Sequence, residues 1–257
     1  MNAERLLPAS LSGGQIQTQT LLPASLEGPV WVIAPHPDDE SLGCGGLVAE
    51  LCSLGTVLWA LLLSDGSASH PGSREWPARP LATRRLGEWH AGLDQLGVHP
   101  RRRLALGLPD GRLPWPRGAE NDEDSGGDEA ARAISAALAV APPATLLLPW
   151  RRDPHPDHRA AHALVQRALN GRSGVRQLEY TVWLPQRAAP EDLPRPGEVR
   201  VWEVQVTRQL ARKEAAIRAH RSQLGQLVQD DPGGFVLPEQ MVRASLDGSE
   251  WLLEANP

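Results

Sequence analysis

Val30-Trp31-Val32-Ile33-Ala34-Pro35-His36-Pro37-Asp38-Asp39-Glu40 (VWVIAPHPDDE) is a short apolar run that stops at a histidine held between two prolines and followed by three acids. Val30–Ala34 reads as a buried strand. An ordinary acidic turn has no need of a histidine fixed between prolines. Three readings are open at this point: a metal site, an acid/base site, or a crowded turn without chemistry. A related stretch, His155-Pro156-Asp157-His158, follows a second apolar run at Thr145–Leu148.

Working outward, apolar runs alternate with helical periodicity from Pro29 onward. Further strands are expected at Thr56–Leu63, Arg103–Leu106, near Glu179–Leu184, and at Val199–Val206, with a last edge strand at Trp251–Leu253. Helices are expected at Leu42–Leu54, Leu81–Leu96, Glu129–Val140 and His158–Leu169, with a long one at Gln209–Leu227. Such alternation predicts an α/β protein: a Rossmann-like three-layer fold, its mostly parallel central sheet flanked by helices. Ligands of such sheets bind outside the carboxyl ends of the strands. The stretches PHPDDE, Ser64-Asp65-Gly66, Gly107-Leu108-Pro109-Asp110-Gly111 and RRDPHPDH each follow a strand, so a parallel sheet places all four on one rim.

Length and composition bound the possibilities. The 257 residues, 41% hydrophobic, suit a single domain over residues 29–257. Residues 1–28 read as an N-terminal appendage in which LLPASL occurs twice, at Leu6–Leu11 and Leu21–Leu26. A net charge of −5 gives no basic footprint for nucleic acid. No run approaches the roughly 18 apolar residues of a membrane span. Cys44 and Cys52 alone build neither a disulfide framework nor a thiolate zinc site, so a cytoplasmic setting is expected. The Pro- and acid-containing loop 112–128 reads equally as a lid over the rim and as a disordered segment. Oligomeric state is not legible.

The two His-Pro-Asp motifs carry the chemistry. His36 and Asp39 are three apart where a loop becomes a helix, and His155 and His158 repeat that spacing. One carboxylate and two imidazoles suit a catalytic zinc with an open fourth position; iron or manganese would compete for the same donors. Each motif leaves one group over. Asp38 is placed to take a proton from water, and His155 to hydrogen-bond an oxyanion and protonate a leaving amine. Asp157 is the candidate to orient that imidazole. This is equipment for metal-assisted hydrolysis of an amide or ester.

The pair APHPDDE and HPDHRA resembles the PIG-L/LmbE-like zinc-dependent deacetylase superfamily. Supporting stretches keep the family's order: Leu63-Ser64-Asp65-Gly66, Arg85-Leu86-Gly87-Glu88 with Ala91 and Leu96-Gly97, Leu106–Gly111, and Ala216-Ile217 with His220-Arg221-Ser222-Gln223. The resemblance implies that His36, Asp39 and His158 hold zinc, that Asp38 is the general base, and that His155 is the polarising, proton-donating imidazole. It places Arg85 on substrate hydroxyls or a phosphate-like group. It implies removal of an acetyl group from an N-acetylglucosamine-type amino sugar within a small-molecule glycoconjugate. An amidase acting on a thiol conjugate or another N-acyl compound, and a non-catalytic sugar-binding or regulatory module, are the competing readings. The bulky, basic Trp150-Arg151-Arg152-Asp153 departs from several sugar deacetylases of the family and bears on substrate identity.

Other candidates have bland alternatives. Asp65 and Asp110 each precede glycine and read as turn residues or as substrate contacts. Arg85 is read as a substrate contact or as the partner of Glu88 on a solvated helix face. His220 lines the rim or packs. The nine tryptophans are read mostly as core, with Trp76, Trp115 and Trp150 on rim loops where a sugar face would stack.

Overall fold

The computed structural model describes residues 18–117 and 126–256. It is a three-layer α/β structure around a sheet of β1 (Thr18–Thr20), β2 (Val30–Ala34), β3 (Leu58–Ser64), β4 (Arg103–Leu108), β5 (Thr145–Pro149), β6 (Arg176–Tyr180), β7 (Val199–Gln205) and β8 (Ser249–Ala255). The spatial order is β1-β7-β8-β6-β5-β2-β3-β4. Every strand pair is parallel except those of β8 with β6 and β7. The helices are α1 (Asp39–Ser53), α2 (Ala78–Leu96), α3 (Gly127–Ala139), α4 (Pro156–Leu169), α5 (Leu184–Arg187), α6 (Leu210–Ala219) and α7 (Glu239–Ala244). No helix among the described residues is long and apolar enough to cross a membrane.

Strand alternation divides the core between the two faces. Val30, Val32, Ala34, Ala60 and Leu62 join residues of α1, α2 and α6 on one side. Trp31, Ile33, Leu61, Leu63, Leu146 and Leu148 join α3 and α4 on the other. Because helices cover both faces, β2 and β5 are buried at every position and read as continuous apolar runs.

The chain moves outward from β2 through β3 to β4 on one side, and through β5 to β6 on the other. The crevice between the carboxyl ends of β2 and β5 is therefore the topological switch point, where open α/β sheets bind ligands. Both His-Pro-Asp motifs open there.

The sequence expectations differ from the structure in three places. β8 is not an edge strand: it lies between β6 and β7, and its central Trp251, Leu252 and Leu253 are buried. The strand expected near Glu179–Leu184 ends at Tyr180, because Asp153 Oδ2 accepts the N–H groups of Val182 and Trp183 and draws the chain off the sheet. The helix expected at Gln209–Leu227 stops at Ala219. Glu88 ends it by accepting both the backbone N–H and the hydroxyl of Ser222. Of the N-terminal segment, Thr18–Thr20 pairs with β7, and Leu21 and Leu26 of the second LLPASL are buried. The first copy lies outside the described residues, as do residues 118–125 of the acidic loop.

Gly43 lets α1 lie against the sheet. A Cβ there would meet the Tyr180 ring at 2.3 Å, and that ring is fixed by its hydroxyl donating to Ile33 O at 2.7 Å. Gly43→Ala is expected to cost about 1–3 kcal/mol through overpacking. Urea unfolding of the variant checks this, and an unchanged midpoint would contradict the close approach.

Candidate metal and catalytic site

Pro35 and Pro37 stiffen the loop that leaves β2, and Arg85 clamps it from α2. The guanidinium donates to Pro37 O and to Gly66 O, both at 2.9 Å, tying the loops after β2 and β3 together. Asp38 follows with a left-handed φ of 126°, a strained conformation for a non-glycine residue of the kind that concentrates at functional sites. Asp39 then begins α1 and folds back, its Oδ2 accepting the His36 backbone N–H at 2.8 Å. The loop after β5 enters α4 with Pro156 in its first turn and His155 as N-cap, His155 Nδ1 accepting the Asp157 N–H at 3.2 Å.

These two helix starts converge. Asp39 Oδ2 lies 3.1 Å from His36 Nδ1 and 3.2 Å from His158 Nε2. The far nitrogen of each ring meets a carboxylate: His36 Nε2 lies 3.0 Å from Asp157 Oδ2 and 3.2 Å from Asp110 Oδ1, and His158 Nδ1 lies 3.2 Å from Asp153 Oδ1. Imidazoles that bind metal commonly carry a carboxylate on the second nitrogen, which fixes the tautomer and leaves the first free as a donor. The fully buried His158 ring has neither nitrogen in an aligned hydrogen bond despite these short distances. On the Nε2 side the ring faces Asp39 Oδ2 without bonding it in line, which suits two donors arranged around a shared third point.

Other donor sets are close by. Single donor atoms of His36, His155 and His158 lie within 4.8 Å of one another, as do those of His36, Asp110 and Asp157. Asp110 and Asp157 are committed to backbone amides, Asp110 to Ala68 and Asp157 to Gly111 and Leu113. That suits them to orient His36 rather than to hold an ion themselves. His36, Asp39 and His158 offer a divalent ion two nitrogens and one oxygen, the number and kind of ligand that a catalytic metal takes from a protein.

The electrostatics agree. Burial lowers the pKa of His158, but Asp39 and Asp153 outweigh it and raise it to about 9. Burial likewise opposes charge on His36, whose Asp110, Asp157 and Asp39 neighbours nevertheless hold it well above the ordinary range. Burial alone would push Asp39 up, yet His158 and His36 hold it well below the usual carboxylate range. The pocket is thus built for two positive charges, and one divalent cation displacing two ring protons preserves the local charge balance.

The two remaining groups are tuned in opposite directions. Burial, opposed by Arg85 and reinforced by Asp39, pushes Asp38 up to about 8, as suits a proton acceptor. Burial, with His158 and His36, lowers His155 to about 4, so it is neutral near pH 7. Its Nδ1 is the acceptor for the Asp157 amide, which leaves the proton on Nε2 available to donate.

Other candidates land elsewhere. The Asp157 carboxylate does not orient His155: it holds His36 and the 111–113 loop, and only its backbone amide touches His155. Asp65 closes its own turn by accepting the Ser67 N–H. Asp110 reaches the cluster, 3.7 Å from Arg85 as well as beside His36; burial raises its carboxyl, but His36 and Arg85 hold it at about 2. Arg85 is buried, so its nearest contacts are carbonyls and Asp38, at 3.5 Å, and the partner of Glu88 is Arg84. His220 is not on the rim: it is fully buried beneath Gly92, because the chain turns inward after Ala219. Trp150 is also fully buried, its indole N–H donating to Asp192 O, and is closed to a sugar.

Sequence reading missed Asp153 and Trp183. Asp153 is fully buried; besides facing His158 it accepts the His155 N–H. Its place two residues before His155 was the available signal. Trp183 lies with its indole 6.5 Å from the His155 ring and under the Arg187 guanidinium, centroid to Cζ 4.1 Å. Nothing in its local sequence marks it.

Residues 31–169 match the family PIG-L: GlcNAc-PI de-N-acetylase, a stretch that holds both motifs and more than half of the chain. The chain belongs to the PIG-L family. Among curated relatives, the diacetylchitobiose deacetylase of Thermococcus kodakarensis is 34% identical over 135 residues, covering 51% of this chain but 45% of that protein. The 1D-myo-inositol 2-acetamido-2-deoxy-alpha-D-glucopyranoside deacetylase of Actinosynnema mirum is 27% identical over 88% of this chain and 92% of its own length. Among solved structures, the N,N'-diacetylchitobiose deacetylase of Pyrococcus horikoshii shares the fold at a TM-score of 0.59 and 21% identity, over 84% of this chain and 73% of that one.

Two outcomes are expected. Asp153→Asn should weaken metal binding about 10–100-fold, because His158 loses its orienting carboxylate; titration against a chelator checks it. Metal-free protein should also lose thermal stability as the pH rises from the unfolded-state value of 6.5 for histidine through about 9. His158, raised to about 9, holds its folded-state proton until then, and Asp38 at about 8 and Glu40 at about 7 act with the same sign. Metal affinity should rise over the same window, since binding displaces that proton. Melting curves that stay flat from pH 6.5 to 9 in metal-free protein would contradict the assignment.

Proposed function

We propose that this protein is a zinc-dependent hydrolase that removes the acetyl group from an N-acetylated amino sugar, of the N-acetylglucosamine type, in a small-molecule glycoconjugate. The observation that carries this reading is the convergence of His36 Nδ1, Asp39 Oδ2 and His158 Nε2 beside two groups tuned oppositely for proton transfer. The acetamido sugars in the names of the curated relatives support the substrate class.

His36, Asp39 and His158 would hold the ion, with Asp157, Asp110 and Asp153 orienting the two rings. When bound there, zinc supplies Lewis acidity, polarising an amide carbonyl and lowering the pKa of water to about 7. Asp38 takes the proton from the attacking water; its raised pKa suits it to hold that proton afterwards. His155 Nε2–H donates a hydrogen bond to the oxygen on which charge develops, and the proton that Asp38 took from water passes to the departing amine. Arg85 keeps Asp38 in its strained conformation through the Pro37 and Gly66 carbonyls. Acetate and a free amine are the products.

The test is zinc content together with acetate release from a panel of N-acetylated sugars, for the unaltered protein and Asp38→Asn. The expected result is one zinc per chain in both, with the rate of the variant lower by about 10²–10⁴. Full zinc occupancy with cleavage only of larger acyl groups would move the reading to an amidase. Full zinc occupancy with tight sugar binding and no hydrolysis at all would make the protein a sugar-binding module.

A further inference from the structure

Lys213 is the only lysine in the chain. Its ammonium donates to Glu250 Oε1 at 2.7 Å, and each of the two side chains is 1% exposed. Charges so far from water need full compensation, and a simple apolar pair would fill the same space at less cost. What distinguishes this pair is the second task of the carboxylate. Glu250 Oε1 also accepts the Gly46 N–H at 2.6 Å, and Oε2 accepts the Leu47 N–H at 2.8 Å.

Those two amides lie just past a break in α1. Cys44 has φ −147° and ψ 23°, outside the helical region. Such a departure kinks the helix, and the Gly46 and Leu47 amides just after it find an acceptor from outside the helix. Glu250 caps the second half of the helix from β8, and Lys213 anchors Glu250 from α6. Gly45 leaves room for this, since a Cβ there would stand 3.3 Å from Lys213 Cγ.

The break lies about one and a half turns from Asp39. The direction of the first turn, and with it the placement of Asp39 between His36 and His158, depends on the helix staying broken. We propose that Glu250, anchored by Lys213, is a positioning residue for the metal-binding end of α1. Both residues lie beyond residues 31–169, so the device is supplied by the part of the chain outside the matched family stretch. This inference rests on the metal reading of the site.

The experiment compares zinc affinity, by competition with a chromophoric chelator, and steady-state kinetics in three variants. K213M/E250L removes charge and acceptor together, leaving no unpaired ion. It should fold with the far-UV spectrum of the unaltered protein but bind zinc at least about tenfold more weakly, and kcat should fall while KM changes little. K213M/E250Q restores an acceptor and should recover zinc affinity to within about threefold. A purely structural role would give both double variants equal zinc affinity. If K213M/E250L fails to fold, E250D withdraws the carboxylate by one carbon and should show the same loss. A folded K213M/E250L or E250D variant with undiminished zinc affinity would overturn the inference alone. An unaltered protein that binds no zinc would overturn it together with the metal reading.

Discussion

Asp39 Oδ2 stands 3.1 Å from His36 Nδ1 and 3.2 Å from His158 Nε2, so one carboxylate oxygen joins the loop after β2 to the helix after β5. These segments are far apart in sequence and adjacent only because β2 and β5 are parallel neighbours at the switch point of the sheet. Buried histidines and acids in such density repel or desolvate one another unless every charge is answered. Here Asp157 and Asp110 answer His36, Asp153 answers His158, and Arg85 answers Asp38 and Asp110. A polar network this deep tolerates little loosening, because each unpaired member bears the full cost of its burial.

The same constraint explains several features with no chemistry of their own. Arg85 spends its donors on backbone carbonyls, which holds Asp38 at a positive φ that it would not keep alone. Glu88 ties the turn after α6 to α2 through Ser222. Gln223, one residue on, accepts the Leu237 amide and donates to Ser69 Oγ beside the rim. The R-x-x-E and H-x-S-Q stretches are therefore two sides of one contact, although they are distant in the chain.

How far the sequence could be read follows from which interactions are local. The β/α alternation, the parallel sheet and the rim position of both His-Pro-Asp motifs depend on periodicity and connection rules, and they were legible. The pairing of His36 with Asp39 depends on i, i+3 spacing at a helix start and was legible too. What depends on tertiary packing was not. His220 looks like a rim residue until Glu88 is seen to end α6 and turn the chain inward. Trp150 looks exposed until its indole is found against Asp192 O. Asp157 serves the opposite histidine from the one beside it, since helix geometry gives only its backbone amide to His155. Asp153, Trp183, Lys213 and Glu250 matter through partners that no local pattern names.

The central claim is that one cation is held by His36, Asp39 and His158. A crystal of the protein grown with zinc, measured on both sides of the zinc absorption edge, tests it most directly. The expected result is a single strong anomalous peak about 2.0–2.2 Å from His36 Nδ1, an Asp39 carboxylate oxygen and His158 Nε2. A peak on His36 Nε2 between Asp110 and Asp157, or none at the convergence of the two motifs, would contradict it.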